Sequence, residues 1–150
     1  MRPSIEVFGA TIISALVSAI PFGIGGHSLG VGIIAFVLAL LWITLLGVPA
    51  YLVFRSRGWV RWWSMTLAGF VLGALPSALF GWPYHPGIDS GYSAWDGHEM
   101  VVYEVHGVPT HAGWISFFHS TGAVGLLGAV SAFVFWLVLV LIARSGRQPK

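Results

Sequence analysis

The sequence predicts an all-α integral membrane protein, a four-transmembrane-helix bundle with a short extracytoplasmic β-hairpin in the loop between helices 3 and 4. Three observations carry this expectation. The chain is 57% hydrophobic and only 8% charged, against roughly 25% charged residues in soluble proteins, and its mean hydropathy is +0.85. Three long stretches, from Glu6 to Arg55, Arg61 to Asp89 and Glu104 to Arg144, contain no Asp, Glu, Lys or Arg between their ends. All seven Lys and Arg residues fall in three clusters bordering those stretches.

A crossing of the hydrocarbon core takes about 20 apolar residues, so the first stretch has room for two. Between those two, Pro21 to Gly30 is rich in glycine and reads as a turn. The expected spans are 4–21, 31–54, 62–81 and 115–143, in a single membrane domain covering 1–150, with one sizeable hydrophilic loop at 82–114. Span four exceeds a straight crossing, so it tilts or begins its helix above the membrane. Arg2 and the small residues Val17-Ser18-Ala19 imitate a signal peptide, but Pro21 and Glu6 argue that the segment is retained as a helix.

Orientation follows from charge. Arg2, the group Arg55, Arg57 and Arg61, and the group Arg144, Arg147 and Lys150 all lie on one side of the expected bundle. The positive-inside rule makes that side cytoplasmic, with both termini there and the 82–114 loop outside. Asp89, Asp96, Glu99 and Glu104 belong to the outer loop, and Glu6 complements the dipole at the start of span one. Trp59, Trp62 and Trp63 form one aromatic belt, and Phe80, Trp82, Tyr84, Trp114, Phe117 and Phe118 form the other. This arrangement of cations excludes a phosphate-binding surface, so no nucleic-acid partner is expected; the bilayer itself is the first partner.

Small residues recur every four positions at Ala10, Ser14 and Ser18, at Gly69, Gly73 and Ser77, and at Gly125 with Ala129 and Gly128 with Ala132. Such faces let helix backbones approach closely in lipid, and with four helices to pack they are expected to pair within the chain rather than in a homodimer. Pro49 and Pro76 should kink or end their helices. The membrane centre offers only Ser and Thr as polar side chains, with no ionisable residue for a proton relay or ion pathway, which argues against an active transporter.

The outer loop carries the chemistry. Residues 82–98 read as coil with turns, Glu99–Val105 as a strand, His106-Gly107 as a turn and Val108–Trp114 as a returning strand. The absence of cysteine removes disulfides, thiolate metal sites and thiol nucleophiles. His98, Asp96, His106 and His111 are the candidate ligands for a transition metal such as zinc, but no HExxH or i, i+4 histidine pair fixes their spacing. Two haems would need histidines at both membrane faces, and none lies on the inner side. Ser116 and Ser120 flank His119 without a nucleophile-elbow motif. Tyr84, Tyr92, Trp95, Tyr103 and Trp114 punctuate the loop, and Trp and Tyr are the types that most often anchor interfaces.

The best-fitting reading is therefore a non-enzymatic protein of a bacterial inner membrane, without cofactor, whose extracytoplasmic loop binds a protein partner in an accessory or immunity-type role. The alternatives are a metal- or pH-responsive membrane protein using the outer His, Asp and Glu residues, and an outer-facing membrane enzyme.

Overall fold

The structure, a computed structural model, describes residues 3–25, 29–85, 87, 91–95 and 97–145. Four of its helical stretches are long and apolar enough to cross a membrane: Glu6–Gly25, Leu29–Ser56, Trp62–Phe80 and His111–Ser145. The first belongs to α1 (Pro3–Gly25). The second joins α2 (Leu29–Trp42), a π-helical segment (Ile43–Gly47) and α3 (Val48–Ser56). The third is α4 (Trp62–Phe80) and the fourth is α5 (His111–Ser145).

Helix ends depart from the sequence reading in one consistent direction. α1 continues through Pro21 to Gly25, and α4 continues through Pro76. With no water in the bilayer core to satisfy freed backbone groups, carrying on the helix beyond one missing N–H is cheaper than unwinding it. The glycines read as turn formers have another task. A Cβ placed on Gly32 would lie 3.2 Å from the Gly23 Cα, so this pair lets α1 and α2 approach at their connected ends. Pro49 does not end the second span either. It follows the π-segment, in which Val48 N–H reaches back to the Ile43 carbonyl, and the wider turn gives the proline ring room against the preceding carbonyls.

α4 and α5 make the tightest pair. A Cβ on Gly73 would come within 3.0 Å of the Gly128 Cα, and one on Gly69 would meet the Gly128 carbonyl oxygen at 2.5 Å. Farther along the same seam, the Ser77 and Thr121 hydroxyls are 3.2 Å apart. α1 joins through its own small face, where the Ser18 and Ser131 hydroxyls meet at 2.6 Å. The small-residue faces are thus used within the chain. At the end away from the 82–110 connection, Ala10, Tyr51, Met65 and Phe135 form the buried core. Tyr51 and Phe135 pack edge to face at 5.4 Å.

Between α4 and α5 lies a three-stranded antiparallel sheet in the order β1 (Tyr92–Trp95), β2 (Met100–Val105), β3 (Val108–Pro109). β1 lies where the sequence suggested coil, and β3 is only two residues long, not the strand to Trp114 that alternation suggested. The expected turn at His106-Gly107 is present: both residues have positive φ, 49° and 75°, the geometry of a primed two-residue turn that matches strand twist. α5 then starts at His111 because Thr110 caps it. The Gly113 N–H donates to Thr110 Oγ1 at 3.2 Å, while that hydroxyl donates to the Val102 carbonyl at 2.7 Å. One threonine therefore both starts the helix and fastens β2 to it.

Candidate docking site at the sheet end of the bundle

Two kinds of aromatic residue meet at the sheet end. Trp82, Trp114, Phe117 and Phe118 form one cluster: Trp82 lies 5.7 Å from both Trp114 and Phe117 in edge-on contacts, and Trp114 stacks on Phe118 at 5.9 Å. This cluster joins the start of α5 to the residues just after α4. The second group lies on the sheet. Tyr92 and Trp95 of β1 are 59% and 63% exposed, and the Tyr92 ring is tilted on that of Tyr103 at 5.7 Å. Tyr84 is exposed as well, while Tyr103 and Trp114 are half-buried.

β1 is an edge strand. It pairs with β2 from Tyr92↔Glu104 to Trp95↔Met100, and among the described residues no other strand pairs with its far side. An edge that no described strand covers and that carries large exposed rings is the arrangement that accepts an added strand. The five residues singled out from sequence therefore separate into the exposed Tyr84, Tyr92 and Trp95, and the half-buried Tyr103 and Trp114, with Tyr92 resting on the Tyr103 ring.

Between sheet and bundle lies a 360 Å³ pocket lined by residues of the α4 end, the strands and the first turns of α5, among them Trp82, His85, Tyr92, Tyr103, Glu104 and Phe117. The His85 N–H donates to the Gly107 carbonyl at 2.9 Å, tying the segment after α4 to the β2–β3 turn. Gly113 also lines the pocket, and a Cβ placed there would collide with the Tyr103 carbonyl. No family model, curated protein or solved structure matches this chain.

Of the four suggested metal ligands, the structure describes the three histidines, which lie on different parts of the sheet and α5. His98 precedes β2, His106 follows it and His111 opens α5; all three are exposed. A strand of six residues separates the first two, which places their backbones on the order of 20 Å apart at ~3.3 Å per residue. Among the described residues, no group of three His, Asp or Glu side chains is placed to hold one metal ion. Asp96, Asp89 and His27 lie outside the described residues, as do Arg2, Arg147 and Lys150. His119 is exposed on α5, and the neighbouring Ser120 hydroxyl donates to the Phe117 carbonyl at 3.0 Å, a local helix bond.

Trp42, which the sequence reading passed over, links spans two and three in the membrane region. Pro76 has no N–H, so the Leu72 carbonyl one turn earlier loses its helical partner; the Trp42 indole N–H donates to that carbonyl at 3.1 Å. Both signals were present in the sequence, a proline inside span three and a tryptophan in the middle of an aliphatic span two. Trp42 also forms part of the wall of a 570 Å³ apolar cavity between the second span and the other three. In the same wall Ser14 is 1% exposed, and its hydroxyl has no hydrogen-bond partner among the described residues.

Proposed function

We propose that the chain is a non-enzymatic accessory or immunity-type protein of a bacterial inner membrane, which holds a protein partner on the extracytoplasmic side through the β1 edge. The termini are cytoplasmic in this reading. The observation that carries it is the edge strand itself, with Tyr92 and Trp95 both more than half exposed beside an edge that no described strand covers. Rigid aromatic side chains on an open edge combine main-chain pairing with anchor contacts. Charge supports the same face: the 82–114 loop contains four acids and no Lys or Arg, so the partner it suits presents a basic extended segment. The orientation is supported by Arg55, Arg57, Arg61 and Arg144, all at the end of the bundle away from the sheet.

The test is site-specific photocrosslinking in intact cells. A crosslinker at Trp95 is expected to give a discrete protein adduct, which Tyr92→Ala weakens and His98→Ala or His111→Ala leaves in place. A crosslinker at Leu126, on an exposed face of α5, should give no such adduct. The proposal fails if position 95 yields no adduct, or if both positions yield the same one.

A further inference from the structure

The apolar cavity between the second span and the other three exists because small residues line it from both sides. Gly69, Gly73 and Gly128 belong to the seam of α4 and α5, and Ala35, Ala39 and Ala50 belong to the second span. A seam closed by backbone contacts has no side chains to fill the 570 Å³ beside it.

The polar groups in the wall are already taken. The Ser18 and Ser131 hydroxyls meet at 2.6 Å, the Trp42 indole N–H goes to the Leu72 carbonyl, and Ser14 is too deeply covered to offer its hydroxyl to a guest. Apart from these and Tyr51, every described lining side chain is apolar. Such a space does not hold water, because a buried water needs several polar partners. Leaving it empty is unfavourable too, since lining atoms with nothing opposite them lose their dispersion contacts. The medium that surrounds these spans is hydrocarbon.

The dimensions suit a single chain. The wall runs from Met65 to Pro76 along α4 and from Phe135 to Val124 along α5, each about 17 Å at ~1.5 Å per residue. One leaflet of a ~30 Å hydrocarbon core is about 15 Å deep. At the end away from the sheet, the buried Tyr51, Met65 and Phe135 close the space. At its side Ile34, Leu38 and Leu41, which also line it, are more than half exposed. The open way in is therefore from lipid, in the leaflet on the sheet side.

We infer that this cleft holds one hydrocarbon chain of a membrane lipid as a resident part of the bundle. The chain fills the room that Gly69, Gly73 and Gly128 leave beside span two, and the wall selects it by length and width rather than by head group. Two sources of that chain exist, a phospholipid tail and a free fatty acid. The site lies within the membrane and is independent of the partner proposed for the β1 edge.

Leu126 and Leu127 supply the test, being adjacent in α5 and so at nearly the same height. Leu127 lines the cleft, whereas Leu126 lies outside it and is exposed. The full chain is reconstituted in vesicles of phosphatidylethanolamine and phosphatidylglycerol. These carry a trace of phosphatidylethanolamine with a diazirine near the end of one acyl chain or, separately, of the matching free fatty acid. The vesicles are fused with an excess of unlabelled lipid and illuminated at intervals, and adducts are located by mass spectrometry. A dilution of about tenfold should lower labelling at Leu126 about tenfold on mixing, while labelling at Leu127 persists for the residence time of the bound chain. Ala39→Phe, which fills the cleft, should abolish the Leu127 adduct and spare that at Leu126. Val71→Phe, at an exposed position outside the cleft, should spare both. If Ala39→Phe does not fold, Ala68→Phe fills the same space from α4. Persistence with the fatty acid alone supports the chain site and assigns it to the free acid. The inference is overturned if neither probe labels Leu127, as happens when the cleft is closed or covered by another helix. It is overturned equally if labelling at Leu127 falls together with that at Leu126, or if a folded Ala39→Phe or Ala68→Phe variant keeps the Leu127 adduct.

Discussion

Replacing Gly128 by alanine adds one methyl group at the tightest point of the bundle. That carbon would collide with the Gly69 carbonyl oxygen and lie 2.9 Å from the Gly73 Cα and 3.2 Å from the Gly73 nitrogen. All three are backbone atoms, so no side chain can rotate away, and α5 must move off α4. Overpacking of this kind costs about 1–3 kcal/mol when side chains can adjust, and a radial gap of ~0.5–1 Å forfeits a quarter to a half of each lost contact along the seam. We expect a loss of about 3 kcal/mol. The control is Gly122→Ala on the same helix, where a Cβ meets nothing within 4 Å; there the gain in helix propensity of about 0.5–1 kcal/mol is the dominant effect. Reversible unfolding of the purified chain in mixed micelles, with added denaturing detergent, measures both. If the two alanine variants unfold at the same detergent fraction, α4 and α5 are not held at this contact and the packing argument is wrong.

Four further outcomes are expected. Trp42→Phe should cost about 1–2 kcal/mol by leaving the Leu72 carbonyl without a donor; Pro76→Ala restores a helical N–H and should remove most of that cost, so a double-mutant cycle showing no coupling would refute the pairing. Ser14→Ala should be neutral or stabilise by about 1 kcal/mol, since it removes a buried hydroxyl that has no partner among the described residues; a loss comparable to that of Ser18→Ala would mean that a bound molecule satisfies Ser14 in the membrane. Gly107→Val places a β-branched residue at φ 75° and should destabilise the sheet by about 1–2 kcal/mol, seen as faster hydrogen exchange at Val105 and Val108 with the helices unaffected. Reporter fusions after Arg57 and at the C-terminus should be cytoplasmic and an insertion near Gly91 exported; an exported C-terminus would refute the assigned orientation.

The four spans were legible because charge is the strongest signal a bilayer imposes. No Asp, Glu, Lys or Arg occurs between the ends of the three long stretches, and the structure places its helices within them apart from a few terminal residues. Helix ends were less legible, since the breaker signals of Pro21, Gly23 and Gly25 are calibrated on chains in water. In lipid the backbone remains helical through Pro21, and Gly23 becomes a contact with Gly32. β1 was hidden because Tyr92-Ser93-Ala94-Trp95 is short, with no clear alternation, and gains its structure from pairing with β2. The His106-Gly107 turn was legible because its conformation is local. The cluster of Trp82, Trp114 and Phe117 was not, because its members come together only after α4 and α5 have packed. The candidate site shared this limit: its exposed aromatic residues could be named from sequence, but the pocket that gathers Tyr103, Glu104 and Trp82 required the tertiary arrangement.

The bond from Trp42 to Leu72 also bears on how the chain enters the membrane. Spans are delivered in order, and the second arrives near its midpoint with an indole N–H that hydrocarbon cannot satisfy. The third arrives with a carbonyl that its own Pro76 has released. Each helix is by itself a poor solute for lipid at that depth, and each carries the complement of the other's defect. Insertion of span three therefore relieves two unfavourable groups in one contact between consecutive helices. It does so at a fixed height, so the pair selects the vertical register of span two against span three.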